Sequence, residues 1–531
     1  MIHLRKFTAE EIQQSADDLA AARLDANELS AYKVLAAQAE QYFTTRMKAA
    51  VILGGNWGSE AQEVTVGGIT VTREANTNMC YMISTFNEGR AGTGQQNLSK
   101  EEMMAKFQSA EPLTAATWYS LDQTSNVQNP ASTKLGGLED VSYTTDTALA
   151  SAIDNRTTRI IVNQLGGHAK DYFSKDSMHY IAKYFEQTLQ YNCGNITDPA
   201  TVPMSEHSST FMIRETLDLL AMFALFVSII ALAGMLLHTK RYAELRMECC
   251  EPFTTKKSGT FWLAAVLLIV STMIAEYCCN KGSMLGFKSE FLKHFLSLDF
   301  TANIHLWFMW ILSVLSAIVL AVFAVLTKKQ TGKNMLKELN FTISLKKIAR
   351  YFLLSCVLIV YAYLALATMK YFFHQDFRFW DNGMKDMLPQ YWTLCLRYSL
   401  FVLPSFVVSA MMVNGGRMKD MGDGWNTLLQ MVIAGIGIYI LVAYSYGTVY
   451  AEYASTGVGR APAIAFISTW PMLINLPVFA FINRKLYKVS GSIWLPAFVN
   501  TWIVVWSMVS CQSQTGYYLL GNFATKWLGI F

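Results

Sequence analysis

The chain has 531 residues, of which 52% are hydrophobic, and its mean hydropathy is +0.24. This apolar content is higher than that of an average soluble protein. The formal net charge of +4 is unremarkable as a total. The sequence contains no phosphate-binding loop and no nucleic-acid-binding signature, so we expect no nucleic-acid partner.

Residues 1–205 have the mixed polar and apolar composition of a soluble domain. The segment "TAEE" at 8–11 is a capping-box pattern, which places a helix start at Thr8. A run of helix-forming residues follows to about Arg23, and a second helix is expected over 29–46. The N-terminal domain therefore begins with two predicted helices.

Three short apolar runs then predict strands: "MKAAVILGG" at 47–55, "NMCYMIST" at 78–85 and "TTRIIVN" at 157–163. A polar stretch of about 60 residues with little periodicity separates the second run from the third. An amphipathic helix is predicted over 174–190, with Ser174 as its N-cap. Short apolar strands separated by helices indicate a parallel sheet covered by helices, whose ligands bind at the carboxyl ends of the strands.

From about residue 211 onward, apolar runs of roughly 20 residues alternate with short polar loops, and each run is long enough to cross a bilayer as a helix. Eight spans are predicted, with cores at 217–237, 261–277, 306–326, 351–369, 392–413, 428–450, 461–482 and 493–510. Residues 211–531 are therefore predicted to form an all-α polytopic membrane domain of about eight helices, with the lipid bilayer as its partner.

Positive charge is concentrated in alternate loops of this domain. The loop between the third and fourth predicted spans contains Lys328, Lys329, Lys333, Lys337, Lys346, Lys347 and Arg350. Because such loops remain cytoplasmic, we predict a multi-pass plasma-membrane protein whose N-terminal domain and C-terminus are extracytoplasmic. The chain begins "MIHLRKFTAEEIQQ", which contains no signal-peptide core. Either the charge rule misleads here, or the sequence lacks its natural N-terminus.

The nine cysteines show no metal-ligand spacing, and we predict neither a metal nor a cofactor. Cys80 and Cys193 are the two cysteines of the N-terminal domain. An extracytoplasmic location permits a disulfide between them, although two buried thiols are the simpler interpretation.

Two parts of the sequence resemble a known group of proteins. The strands "KAAVILGG", "CYMIST" followed by "NEG", and "RIIVN" followed by "GGHAKDYFS" resemble the C-terminal half of an α/β-hydrolase. "DFRFW" at 376–380 and "NRKLYKVSGSIWLPAFVNTW" at 483–502 are similar to segments of bacterial dienelactone-hydrolase-like proteins that carry a multi-span membrane domain. In outline the resemblance covers most of residues 45–530. It implies a partial α/β-hydrolase-like parallel sheet, incomplete or diverged.

The resemblance also implies the positions of catalytic residues. In that fold the acid follows one late strand and the histidine follows the next, so His168 matches the general base and Asn87 the acid, with Glu88 beside it. A carboxamide at 87 cannot stabilise an imidazolium as a carboxylate does. The nucleophile motif Gly-x-Ser-x-Gly occurs nowhere in the sequence, and Ser30, near the expected spacing, lacks the flanking glycines. The alternative is that His168 and Glu88 are ordinary surface residues.

We therefore predict a membrane-anchored hydrolase-like protein of ester or acyl hydrolase ancestry, inactive or truncated, with an amphiphilic small molecule as ligand. The alternative is a transporter or receptor-like membrane protein whose N-terminal domain binds a ligand. Eight spans exceed what an anchor needs, which favours this alternative, whereas the lack of an obvious inverted repeat argues against it. A membrane-embedded protease is excluded by the absence of H-E-x-x-H and E-E-x-x-x-R motifs.

Four polar residues stand out within the predicted spans. Glu276 and Arg397 are charges at membrane depth, which tend to be functional, although both could reach water near a span end. Asn475 and Asn500 are expected to join neighbouring helices through their amides.

Overall fold

The computed structural model describes residues 49–53, 61–66, 69–74, 78–86, 113–121, 132–167, 174–189, 210–285, 296, 300–379, 382–387, 389–456 and 465–511. The chain divides into two compact units, residues 1–209 with 448–463 and residues 210–447 with 464–531. The predicted helices over 8–23 and 29–46 lie outside the described residues.

The first unit contains a five-stranded mixed sheet. Its strands are β1 (Ala49–Leu53), β4 (Asn78–Phe86), β5 (Thr117–Leu121), β6 (Ser132–Gly137) and β7 (Thr158–Gly167), in the spatial order β1-β4-β7-β5-β6. A separate antiparallel pair is formed by β2 (Ala61–Val66) and β3 (Ile69–Glu74). The three strands predicted from the sequence are β1, β4 and β7, and they are parallel neighbours.

The prediction of a wholly parallel sheet is wrong for the other two strands. β5 pairs antiparallel with β7, and β6 pairs antiparallel with β5. Both come from the polar stretch that showed no periodicity. β6 is partly exposed at the sheet edge, with Thr133 and Lys134 in solvent, so it needs no apolar alternation. In β5, Trp118 and Tyr119 are both buried and pack in different clusters, so the strand has no polar face to reveal its period.

Among the described residues, two helices belong to this unit. α1 (Thr147–Asp154) begins after Asp146, whose carboxylate accepts a hydrogen bond from the Leu149 N–H at 2.8 Å. α2 (Lys175–Leu189) begins after Ser174, as predicted, and the Ser174 Oγ lies 3.5 Å from the Ser177 N. α2 packs Tyr184 against Trp118 with ring centroids 5.6 Å apart, which attaches the helix to the core of the sheet.

The second unit is helical. Its long helices among the described residues are α3 (Thr210–Leu237), α4 (Gly259–Leu285), α5 (Phe300–Thr331), α6 (Leu345–Phe373), α7 (Pro389–Gly415), α8 (Asp423–Thr456), α9 (Ala465–Ser490) and α10 (Trp494–Cys511). Within the described residues, six helices, α3 to α8, are long and apolar enough to cross a membrane. The protein is therefore a multi-pass membrane protein by the length and composition of these helices.

The predicted count of eight spans is not confirmed, because α9 and α10 are not among these six helices. The C-terminal part of α9 contains Arg484, Lys485 and Lys488, and α10 has only 18 residues. Every residue from 495 to 506 in α10 is buried, and this helix packs against α6, α7 and α9. A helix enclosed by other helices is not solvated by lipid, so neither length nor hydropathy has to match the bilayer.

The segment "DFRFW" contributes to a short hairpin of the helical unit. β8 (Phe377–Phe379) pairs antiparallel with β9 (Asn382–Met384), and the hairpin packs on α3 and α10. Arg378 binds Glu215 of α3 with an Nη2–Oε1 distance of 3.2 Å. The arginine of this segment is thus engaged within the helical unit itself.

Candidate functional site

The predicted catalytic residues Asn87, Glu88 and His168 lie outside the described residues, as does Ser30. The strands that lead to them are described. β4 ends at Phe86 and β7 ends at Gly167, and these two residues are paired in the parallel register. Because parallel strands present their carboxyl ends at one edge of a sheet, the chain leaves this edge twice, immediately before Asn87 and before His168.

Two buried side chains with ionisable protons, a cysteine thiol and a tyrosine hydroxyl, belong to the core of the first unit. Cys80 is a free thiol with no exposed surface, and burial raises its pKa above the ordinary value. Burial also raises the pKa of the Tyr184 hydroxyl well above its usual range. A thiol that stays protonated in an apolar core is unreactive, so the interpretation of Cys80 as a buried thiol is correct. Cys193 lies outside the described residues.

The helical unit encloses a cavity of about 140 Å³ between α4, α5, α7, α8, α9 and α10. Its apolar lining includes Phe308, Phe406 and Phe479. The polar side chains that line it are Thr272, His305, Ser313, Ser316, Ser405, Ser409, Gln430, Asn475 and Ser507. A cavity of about 150 Å³ can hold a molecule of the size of benzene. Among the described residues that line it, none is Asp, Glu, Lys or Arg, so the lining suits an uncharged ligand with polar and apolar parts.

A chain of amides runs from this cavity into the bundle. The Asn483 amide donates to the Ser409 hydroxyl at 3.0 Å, and the Asn500 amide donates to the Asn483 carbonyl oxygen at 2.9 Å. These bonds join α7, α9 and α10, which confirms that Asn500 links helices. The Gln430 amide donates to the Gly416 carbonyl at 2.7 Å and holds α8 against the end of α7. Asn475 lines the cavity.

A charged cluster begins one residue beyond Asn483. Arg484 is 4% exposed, and its Nε donates to the Asp423 carboxylate at 2.9 Å. Lys488 binds the other oxygen of Asp423 at 3.0 Å, and the Arg484 Nη1 lies 3.4 Å from the Asn414 side-chain oxygen. Asp423 is the first residue of α8, where the helix dipole also favours a negative charge. The cluster ties the end of α7, the start of α8 and the end of α9 together.

This cluster was not predicted, because the predicted spans over 461–482 and 493–510 place Arg484 and Lys488 in the loop between them. The signal was present: the two residues are four apart, which places both on one face of a helix, and Asp423 precedes a long apolar run. What the sequence lacked was any indication that these two elements meet across about 60 residues of chain.

The two charged residues within the predicted spans, Glu276 and Arg397, are both buried. Glu276 is 6% exposed and Arg397 is 7% exposed, and each interacts with other groups of the protein. The alternative that these side chains simply reach into water is therefore wrong. Arg397 lines a second pocket, which is separate from the cavity described above.

Comparison with protein-family models, with curated proteins and with solved structures finds no match for this chain.

Proposed function

We propose that this is a membrane-anchored α/β-hydrolase-like protein of ester or acyl hydrolase ancestry, which has no serine-hydrolase activity of its own and binds an amphiphilic small molecule. The observation that carries this proposal is the pairing of Phe86 with Gly167 in adjacent parallel strands. In an α/β-hydrolase the acid and the histidine follow two neighbouring late strands, and Asn87 and His168 follow these two.

The antiparallel strand β5 beside β7 departs from that fold, in which the late strands are parallel. β5 lies on the side of β7 that faces away from β4, so the order β1-β4-β7 of the three parallel strands is unaffected. The absent Gly-x-Ser-x-Gly motif and the carboxamide at 87 together account for the proposed lack of activity.

Disulfide trapping tests the proposal that Asn87 and His168 lie side by side. Neighbouring strands lie about 4.8 Å apart, within the Cα separation that a disulfide spans. The full chain with Asn87→Cys and His168→Cys should therefore crosslink under mild oxidation. In the matched control, Asn87→Cys with Thr133→Cys, β7 and β5 lie between the two positions, and no crosslink should form. A crosslink in the control alone would refute the proposed edge.

A fluorophosphonate probe tests the activity. We expect the full chain to remain unlabelled, because the probe requires an activated serine. Labelling that disappears on Ser30→Ala would show that Ser30 is the nucleophile and that the chain is an active hydrolase.

For the orientation in the membrane, we propose that the Lys-rich loop between α5 and α6 is cytoplasmic and that the N-terminal unit and the C-terminus are extracytoplasmic at the plasma membrane. In intact cells a membrane-impermeant maleimide should label Asp176→Cys on α2 and should not label Thr342→Cys, an exposed position of the loop. Labelling of Thr342→Cys alone would reverse the orientation.

The cavity in the helical unit supports a second candidate function, binding or transport of a small uncharged ligand. Pro471 lines this cavity within α9, which is continuous through it, and proline in an apolar helix beside a buried site is a sequence feature of transporters. A water-soluble thiol reagent distinguishes the two functions. If the cavity opens to water, Ser313→Cys should react, whereas its lipid-facing neighbour Val314→Cys should not. Equal lack of reaction at both positions would exclude transport through this cavity.

A further inference from the structure

Four exposed lysines lie where the start of α4 meets the end of α5. Two of them directly precede α4 and two belong to the last turn of α5: Lys256, Lys257, Lys328 and Lys329. The Gln330 amide donates a hydrogen bond to the Thr260 hydroxyl at 2.9 Å, which holds these two helix ends together. We call the four lysines the lysine patch.

The positive charge of the lysine patch is accessible. Among the described residues, no acidic side chain forms an ion pair with any of its four lysines. The Asp420 carboxylate lies beside the patch and accepts a hydrogen bond from the Lys256 backbone N–H at 2.8 Å. Exposed Lys419 is attached at the same place by a bond from its backbone N–H to the Thr254 carbonyl oxygen at 2.8 Å. Asp420 and Lys419 offset each other, so the patch stays positive.

The lysine patch lies at the end of the lipid-facing surfaces of both helices. Val325 of α5 and Val266 of α4 are each more than half exposed, and Lys329 follows Val325 by four residues, which places it on the same helix face. Trp262 is exposed beside the patch, and its indole N–H donates to the Lys256 carbonyl oxygen at 2.8 Å. Tryptophan and lysine at the end of an apolar helix surface mark the level of the lipid headgroups.

The chemistry of this surface selects its ligand. Clusters of lysine beside membrane-spanning helices attract anionic headgroups, whereas a zwitterionic headgroup has no net charge to attract. Free phosphate carries the same negative charge as a headgroup phosphate, but only a lipid can also contact the apolar surfaces of α4 and α5. The combination of exposed lysines with lipid-facing apolar side chains therefore favours an anionic lipid.

We propose that the lysine patch binds an anionic phospholipid of the surrounding bilayer, such as phosphatidylglycerol, with its phosphate at the lysines and its acyl chains along the lipid-facing surfaces of α4 and α5. The site is independent of the hydrolase-like proposal, because it uses residues of the helical unit alone. It is also separate from the cavity between α4, α5, α7, α8, α9 and α10, because none of its four lysines lines that cavity.

Binding of phosphatidylglycerol and of phosphatidylcholine with identical acyl chains to the full chain in detergent tests the proposal, because the two lipids differ in net charge. We expect phosphatidylglycerol to bind at least about tenfold more tightly, since each lysine beside an anionic headgroup contributes about fivefold in affinity. The double variant Lys328→Gln with Lys329→Gln should weaken phosphatidylglycerol binding about tenfold or more and leave phosphatidylcholine binding unchanged. The matched control, Lys134→Gln with Lys175→Gln, removes two exposed lysines of the N-terminal unit and should leave both affinities unchanged.

A competition experiment distinguishes a lipid from free phosphate. Inorganic phosphate at the same concentration as phosphatidylglycerol should not displace the lipid, because it makes no contact with the apolar surfaces of α4 and α5. Displacement by phosphate would overturn the proposal, because the ligand would then be a soluble anion. Equal affinity for the two lipids would overturn it as well. An equal loss of phosphatidylglycerol binding in the two double variants would also do so, because the preference would then follow the total charge of the chain.

Discussion

α5 and α10 are both apolar helices of the helical unit, but their surroundings differ. α5 faces outward along much of its length, with Val314, Ile318 and Val325 each more than half exposed. α10 is enclosed, and it contains Asn500, whose amide is hydrogen-bonded to Asn483. The comparison shows that lipid-facing helices must be apolar, whereas an enclosed helix can carry the polar groups that join the bundle. The cavity and the second pocket of this unit are both lined in part by α10.

The largest effect should come from the charges that anchor α9 beside α10. Asp423→Asn leaves the Arg484 side chain, which is 5% exposed, without its carboxylate partner, and removing one partner of a buried ion pair costs about 3 kcal/mol or more. The measurement is the free energy of unfolding in detergent. The matched control is Lys333→Met, which removes the exposed pair between Lys333 and Glu251 and should cost less than about 1 kcal/mol. Similar losses in both variants would contradict the contrast between enclosed and exposed regions.

The turn between α9 and α10 provides the next test. Gly491 has φ +70°, and a Cβ placed there would collide with the Met247 carbonyl oxygen. Gly332, which follows α5, has φ +71° and open space around it. Replacing either glycine by alanine destabilises the fold by about 1 kcal/mol, because alanine is strained in the left-handed backbone conformation. Gly491→Ala should lower the thermal midpoint further, because the backbone of the turn must also move away from Met247. Equal shifts would show that this close approach is not important.

Two valine-to-alanine substitutions compare the packing of enclosed α10 with that of outward-facing α5. Val505 in α10 has no exposed surface, and Val314 in α5 is 60% exposed. Val505→Ala removes two buried methyl groups and should cost about 2 kcal/mol of unfolding free energy in detergent. Val314→Ala should cost only a few tenths, since lipid or detergent replaces the lost contacts. A larger loss at Val314 would place α5 inside the bundle.

The smallest effect concerns a thiol enclosed in the first unit. Burial raises the pKa of Cys80, so folding favours its neutral form. The resulting stability is fully present below the ordinary thiol pKa of 9.0 and is lost as the pH rises above that value, where the unfolded chain ionises and the folded protein does not. The unfolding free energy should therefore decline above about pH 9. Cys80→Ala should lessen this decline, and an unchanged decline would assign it to other groups.

The candidate site was only partly predictable from the sequence. β1, β4 and β7 are short apolar runs, so their existence followed from local pattern, and the parallel pairing of β4 with β7 agrees with that prediction. β5 and β6 carry little local signal, because β6 is an edge strand and β5 is covered on both sides by clusters of distant residues. Arg397 stands out in the sequence as a charge within a predicted span, whereas the second pocket that it lines also requires Phe352, Phe498 and Trp502 from two other helices.

By itself, the sequence determined that residues 210–456 contain six long apolar helices, because a bilayer requires each spanning helix to satisfy its own backbone and to present apolar side chains to lipid. Only the tertiary structure decided that α9 and α10 lie within the bundle, that Arg484 meets Asp423, and that Asn483 connects Ser409 to Asn500. The reason is physical: hydropathy depends on each residue alone, whereas the stability of a buried charge or amide depends on a partner that can come from any other helix.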